Sequence, residues 1–183
     1  MDNLAYFRKP GRYLRVFEPT REKLEILADK LMNTPMYLSD EYRTQEQIAL
    51  LMEYWFPFNI DKSVRPINVF YEVGDFGGLF GFVAIQPEWK ADLFVKLWDK
   101  SIWGPTLARD VRSLIKKFMI EWKLKRLSLS SPDDKSCKYF VNICGFRTEG
   151  TQGKAFSWKG KLMPNFLFRK VWEEREKWAQ HSL

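Results

Sequence analysis

The chain has 183 residues, the size of one domain with room for a substantial core. Hydrophobic residues make up 45% and charged residues 29%. This is ordinary globular usage, which excludes a disordered or collagen-like chain, and no apolar run reaches the ~18–20 residues of a membrane span. Thirty basic against 23 acidic residues leave +7, which suits a nucleic acid, an anionic surface or a phosphate-bearing cofactor without choosing among them.

In chain order, Tyr13 to Phe17 alternates for a short way and reads as a first strand ending before Pro19. Thr20 is placed to cap a helix with Leu24, Leu27 and Leu31 on one stripe, ended by Asn33-Thr34-Pro35. Thr44 opens a second helix with Ile48, Leu51, Met52 and Trp55 on one face. Ile67–Val73 and Leu79–Ile85 read as a hairpin around Gly74-Asp75-Phe76-Gly77-Gly78. Ala91–Trp98 follows as a third strand, with Ala91, Leu93, Val95 and Leu97 on one face and Asp92, Phe94, Lys96 and Trp98 on the other.

The clearest helix runs from Leu107 to Trp122, where Val111, Leu114, Ile115 and Phe118 continue one apolar stripe. Leu124–Ser130 is a strand, and Ser131-Pro132-Asp133-Asp134 opens a short helix through Cys144, stopped by Gly145. Two final strands flank the turn Trp158-Lys159-Gly160-Lys161, and the charged segment from Arg169 onward is expected to be helical. Strand, helix, strand over 91–130 implies a parallel crossover within a mixed sheet. The expected fold class is therefore α+β, one domain over residues 1–183, with about seven strands and helices on both faces.

Cys137 and Cys144 lie seven apart, which is not a zinc spacing, and the one histidine is His181 near the end. A zinc site and a Ser-His-Asp hydrolase are not expected, so catalysis would fall to carboxylates, Tyr, Lys, Cys, backbone groups or water. The segment Asp99-Lys100-Ser101-Ile102-Trp103-Gly104-Pro105-Thr106 joins a strand to a helix start. Such a junction offers unpaired N–H groups at the positive end of a helix dipole, a place that takes phosphate.

Trp103-Gly104-Pro105-Thr106-Leu107-Ala108 resembles the pyrophosphate loop of the GNAT superfamily of acetyl-CoA-dependent N-acetyltransferases, in particular its branch that acetylates ribosomal-protein N-termini. Gly145-Phe146, Glu149-Gly150 and the run Lys154–Lys161 are similar to later segments of that branch. The resemblance covers about residues 12–172. It departs from the family where Pro105 replaces a Lys, Thr106 a Gly, Asp134 an Asn and Cys137 a Ser, which makes the acetyl-CoA loop a degenerate one.

The resemblance implies a GNAT-like fold and acetyl-CoA as co-substrate. Leu97 and Trp98 would offer backbone groups to the pantetheine arm, and Trp103, Gly104, Pro105, Thr106, Leu107, Ala108 and Arg109 would cradle the pyrophosphate. Arg112 would lie one turn further, and Asp134 and Cys137 beside the thioester end. The family's acid tyrosine position holds Val141, with Tyr139 two residues before it. Tyr139, Asp92 and Glu72 are the catalytic candidates, and Tyr37, Tyr42, Tyr54, Trp55, Phe56 and Phe58 candidate lining of an acceptor cleft.

The function this reading supports is acetyl transfer to a primary amine, on a small molecule or a peptide N-terminus, by direct attack in a ternary complex. The alternative is a GNAT-fold binding or assembly protein without activity, and a basic nucleic-acid module is a third reading. With no apolar signal-like stretch at its start, the chain is expected to be cytoplasmic. Neither membrane nor nucleic acid is an expected partner, whereas a homodimer or a protein partner is.

Overall fold

The computed structural model describes residues 13–33, 44–56, 67–132 and 134–171, with the backbone alone over 134–137. Its strands are β1 (Leu14–Val16), β2 (Val69–Val73), β3 (Gly78–Gln86), β4 (Lys90–Leu97), β5 (Arg126–Ser131), β6 (Arg147–Trp158) and β7 (Lys161–Val171). They form one mixed sheet in the order β1-β2-β3-β4-β5-β7-β6, parallel only between β4 and β5. The helices are α1 (Arg21–Met32), α2 (Gln45–Trp55), α3 (Pro105–Glu121) and α4 (Asp134–Cys144). The expected α+β layout and the crossover between β4 and β5 are both present.

Local chemistry explains most boundaries. The hydroxyls of Thr20 and Thr44 accept from the N–H groups of Lys23 and Gln47, capping α1 and α2. At the end of α4, Gly145 takes φ +69 and lets the Phe146 N–H reach back to the Phe140 carbonyl at 3.2 Å. The buried Lys170 ammonium donates to the Cys144 carbonyl at 2.6 Å, satisfying another orphan acceptor of that helix end. The two-residue loop Lys159-Gly160 has positive φ at both positions, the turn that suits a twisted hairpin. Arg169–Val171 continue β7 rather than starting a helix, because Arg169 and Lys170 pair with Ser128 and Leu127 of β5. The helix expected beyond them lies outside the described residues.

Two apolar layers hold the helices to the sheet. On one face, α3 presses Leu107, Val111, Leu114, Ile115 and Phe118 against Val69, Tyr71, Phe80, Phe82 and Leu93. On the other, Phe17, Leu27, Leu31, Ile48, Trp55 and Phe56 cover Phe70, Leu79 and Phe94. Gly81 is required where Phe70 crosses β3, since a Cβ there would sit 2.4 Å from that ring. Trp55 and Phe56 are thus core residues rather than cleft lining, packed on Phe94 and Phe70 at centroid distances of 4.6 and 4.8 Å. Tyr54 is exposed, while Tyr37, Tyr42 and Phe58 lie outside the described residues.

The irregularity in β3 escaped the sequence. β3 bulges at Ala84, which takes φ +50. Asn68 satisfies the bulge: its Oδ1 accepts from the Ala84 N–H at 3.0 Å while its Nδ2 donates to the Tyr54 carbonyl at 3.1 Å. That amide ties the end of α2 to the sheet.

Candidate functional site

The parallel ladder between β4 and β5 runs through Lys90↔Arg126, Ala91↔Leu127 and Asp92↔Ser128 and then stops. Both strands continue, β4 staying on β3 to Gly78↔Leu97 and β5 staying on β7 to Ser131↔Phe166. Each strand follows its antiparallel neighbour, so the two part and a cleft opens between them. Successive backbone groups of a strand face opposite sides. The Trp98 N–H bonds the Gly77 carbonyl at 3.1 Å, on the β3 side. The groups of Leu97, and before it Val95, therefore face the cleft. The Trp98 N–H is thus engaged on the β3 side, and its ring N–H donates to the Phe76 carbonyl at 2.7 Å.

The chain then enters a single 3-10 turn, Lys100–Ile102, capped by Asp99. The Asp99 carboxylate accepts from the Ser101 N–H at 2.8 Å and its hydroxyl at 2.7 Å, which holds the Asp99 pKa below the usual range. Helix α3 follows from Gly104, which is extended and provides no side-chain cap. The first helical bond runs from the Ala108 N–H to the Gly104 carbonyl at 3.0 Å. Pro105 fills the first position, where an N–H has no helical acceptor in any case. The N–H groups of Thr106 and Leu107 remain, uncapped, at the positive end of a 17-residue helix. An added Cβ on Gly104 would meet nothing within 4 Å, so the approach is open.

The remaining predicted residues divide. Leu107 and Ala108 bury their side chains in the core and have only backbone to offer. Arg109 is exposed on the first turn. Arg112 lies one turn further along α3, where its charge opposes the burial that pushes the Cys144 thiol up to about 12. Asp134 and Cys137 fall on the first turns of α4, and their side chains lie outside the described residues. Trp103 meets Tyr139 edge to face, with ring centroids 4.9 Å apart. The Tyr139 hydroxyl is buried with no hydrogen-bond partner, and burial raises its pKa, so it stays protonated.

Of the two carboxylate candidates, Glu72 is occupied. Its side chain is buried and bound by the Lys23 ammonium and by Arg15 Nε at 3.1 Å, a pin joining α1, β1 and β2. It is not an available base. Asp92 is different. It stands at the last rung before β4 and β5 part, open to solvent, beside the Ser128 hydroxyl. Desolvation by the surrounding sheet raises its pKa, against the pull of Lys90 and Arg126. Alternation in the sequence placed Asp92 on a strand face but carried no sign of the parting point, which depends on the register of β5.

Among the described residues no group of three His, Cys, Asp or Glu is arranged for a metal, and no described helix is long and apolar enough to cross a membrane. No family model matches the chain, and no curated protein matches it in sequence. Solved structures match it in fold. The spermidine/spermine N-acetyltransferase SpeG from Vibrio cholerae superposes with a TM-score of 0.61 at 14% identity, over 93% of this chain and 98% of that one. The microcin C7 self-immunity acetyltransferase MccE, solved with acetyl-CoA and AMP, gives 0.61 at 15% identity, over 90% and 95%. The ribosomal L7/L12 α-N-protein acetyltransferase RimL, solved with coenzyme A, gives 0.62 at 16% identity, over 88% and 95%.

Proposed function

Because the chain carries the fold of the GNAT N-acetyltransferases, we propose that it binds acetyl-CoA and transfers the acetyl group to a primary amine. The observation that supports this reading is the pairing of two open backbone surfaces. The cleft-facing groups of Val95 and Leu97 suit the amides of a pantetheine arm, and the uncapped N–H groups of Thr106 and Leu107 suit its phosphates. The thioester supplies an activated acyl group. The protein's part is to orient it and to receive a proton from the attacking amine.

Asp92 is the residue we assign to that proton. A carboxylate whose pKa is raised is a stronger base than an ordinary surface one, and it stands at the closed end of the cleft. Tyr139 acts through packing, bracing Trp103 ahead of α3. Asp92→Asn is expected to lower kcat by on the order of 100–1000-fold with little change in acetyl-CoA affinity. The wild-type rate should fall as pH drops through the raised pKa of Asp92, and the variant should lose that limb. A kcat within threefold of wild type would remove Asp92 from the reaction.

The experiment that tests the reading as a whole is calorimetric titration with acetyl-CoA, using S-acetylpantetheine, which lacks the phosphates, and desulfo-CoA as controls, followed by a screen of amine acceptors. Micromolar binding that weakens without the phosphate supports it. No binding at millimolar acetyl-CoA overturns it and leaves the second reading, a binding or assembly protein on this fold. Pro105 and Thr106, each in place of a residue better suited to phosphate, favour that second reading.

A further inference from the structure

Away from the cleft, α1 and α2 enclose a groove of about 960 Å³. The i, i+4, i+8 residues Leu24, Ala28 and Met32 of α1 face Ala49 and Met52 of α2 across an apolar floor. Carboxylates rise from both helices: Glu25 and Asp29 from α1, Glu53 from α2. Arg21, the one cation in the lining, is paired with Glu25 at 2.9 Å, and Asp29 faces the Lys30 ammonium at 4.0 Å and accepts from the Asn33 amide at 3.0 Å, so three carboxylates outnumber the two cations beside them. The groove is therefore acidic on a chain whose net charge is +7.

We propose that this groove docks a basic amphipathic helix of a protein partner. Three features favour that occupant. The groove runs along α1 from Arg21 to Asn33, twelve residue steps or roughly 18 Å, the length of a three-turn helix. Ala28 and Ala49 keep the middle low so that a third backbone can approach, while two methionines adapt to its side chains. Acids on both walls match lysines or arginines flanking an i, i+3, i+4, i+7 apolar stripe, which is the helix-in-groove mode of recognition. The charge contrast supplies specificity: on a chain of net charge +7, the acidic lining gives a cationic helix a preferred place to dock.

The test uses the whole protein and a fluorescein-labelled 14-residue Leu/Lys amphipathic helix, with a Leu/Glu helix as control, read by anisotropy. The Leu/Lys peptide should bind and the Leu/Glu peptide should not. Glu25→Gln, Asp29→Asn and Glu53→Gln together should weaken binding at least tenfold without lowering Tm. Ala49→Trp, which fills the middle of the groove but keeps every charge, should weaken it as well. Equal binding by the neutralised protein, displacement by spermine but not by unlabelled peptide, or loss of the site through self-association in sedimentation would each overturn the proposal. None of these readouts involves acetyl-CoA, so the proposal stands or falls apart from the transferase reading.

Discussion

Thr106→Asp is expected to weaken acetyl-CoA binding severely while leaving the protein slightly more stable. Thr106 occupies the second position of α3, and its N–H is one of the two donors left uncapped there. A carboxylate at a helix N-terminus stabilises the helix by about 0.3–1 kcal/mol through the dipole and the orphan N–H groups. The same carboxylate occupies the place proposed for phosphate. Two like charges about 4 Å apart near a protein surface repel by up to ~4 kcal/mol. A penalty of about 2–4 kcal/mol lowers affinity roughly 30- to 1000-fold. Calorimetry should thus lose the acetyl-CoA signal in a protein whose Tm is unchanged or raised. Binding within threefold of wild type would move the phosphates away from α3. A parallel fall in Tm would mean that the substitution had damaged the fold rather than the site.

Why the site is only half legible from sequence follows from which of its parts are local. The start of α3 could be read to within two residues: the amphipathic run pointed to Leu107, and the helix begins at Pro105, whose missing N–H suits the first position. So could the face assignments of β4, because alternation is a property of one strand. The cleft could not. It arises because β4 follows β3 and β5 follows β7, so its apex at Asp92↔Ser128 is set by two registers at once. For the same reason Glu72 read as a free base. Its neutralisers Arg15 and Lys23 are 57 and 49 residues earlier and meet it only in the folded sheet. Trp98 shows the limit at the scale of a single residue. It ends the predicted strand, but the orientation of its N–H depends on where Gly77 closes the hairpin.

Phe118→Ala is expected to do the opposite of Thr106→Asp, and that contrast separates the scaffold from the site. The Phe118 ring is fully buried, lies parallel to Phe82 at a centroid distance of 3.6 Å and stacks on Trp122 at 5.3 Å. It is the seam between α3 and the middle of the sheet. Truncation leaves a cavity lined by aromatic faces that are held in place by β3 and by the rest of α3, so collapse is restricted. A loss of about 3–5 kcal/mol is expected, a large share of the ~5–15 kcal/mol by which a domain is usually stable. Phe118 lies eleven residues beyond Leu107, roughly 16 Å down the helix. The uncapped N–H groups at the start of α3 are anchored separately, by Leu107 and Ala108 buried in the core. Urea titration should therefore show the lost stability, and acetyl-CoA affinity, measured where both proteins are folded, should stay within threefold. Affinity that fell with stability would mean that α3 docks as one rigid lever. The helix start would then depend on the whole seam, and Thr106→Asp would have to be read against Tm at every step.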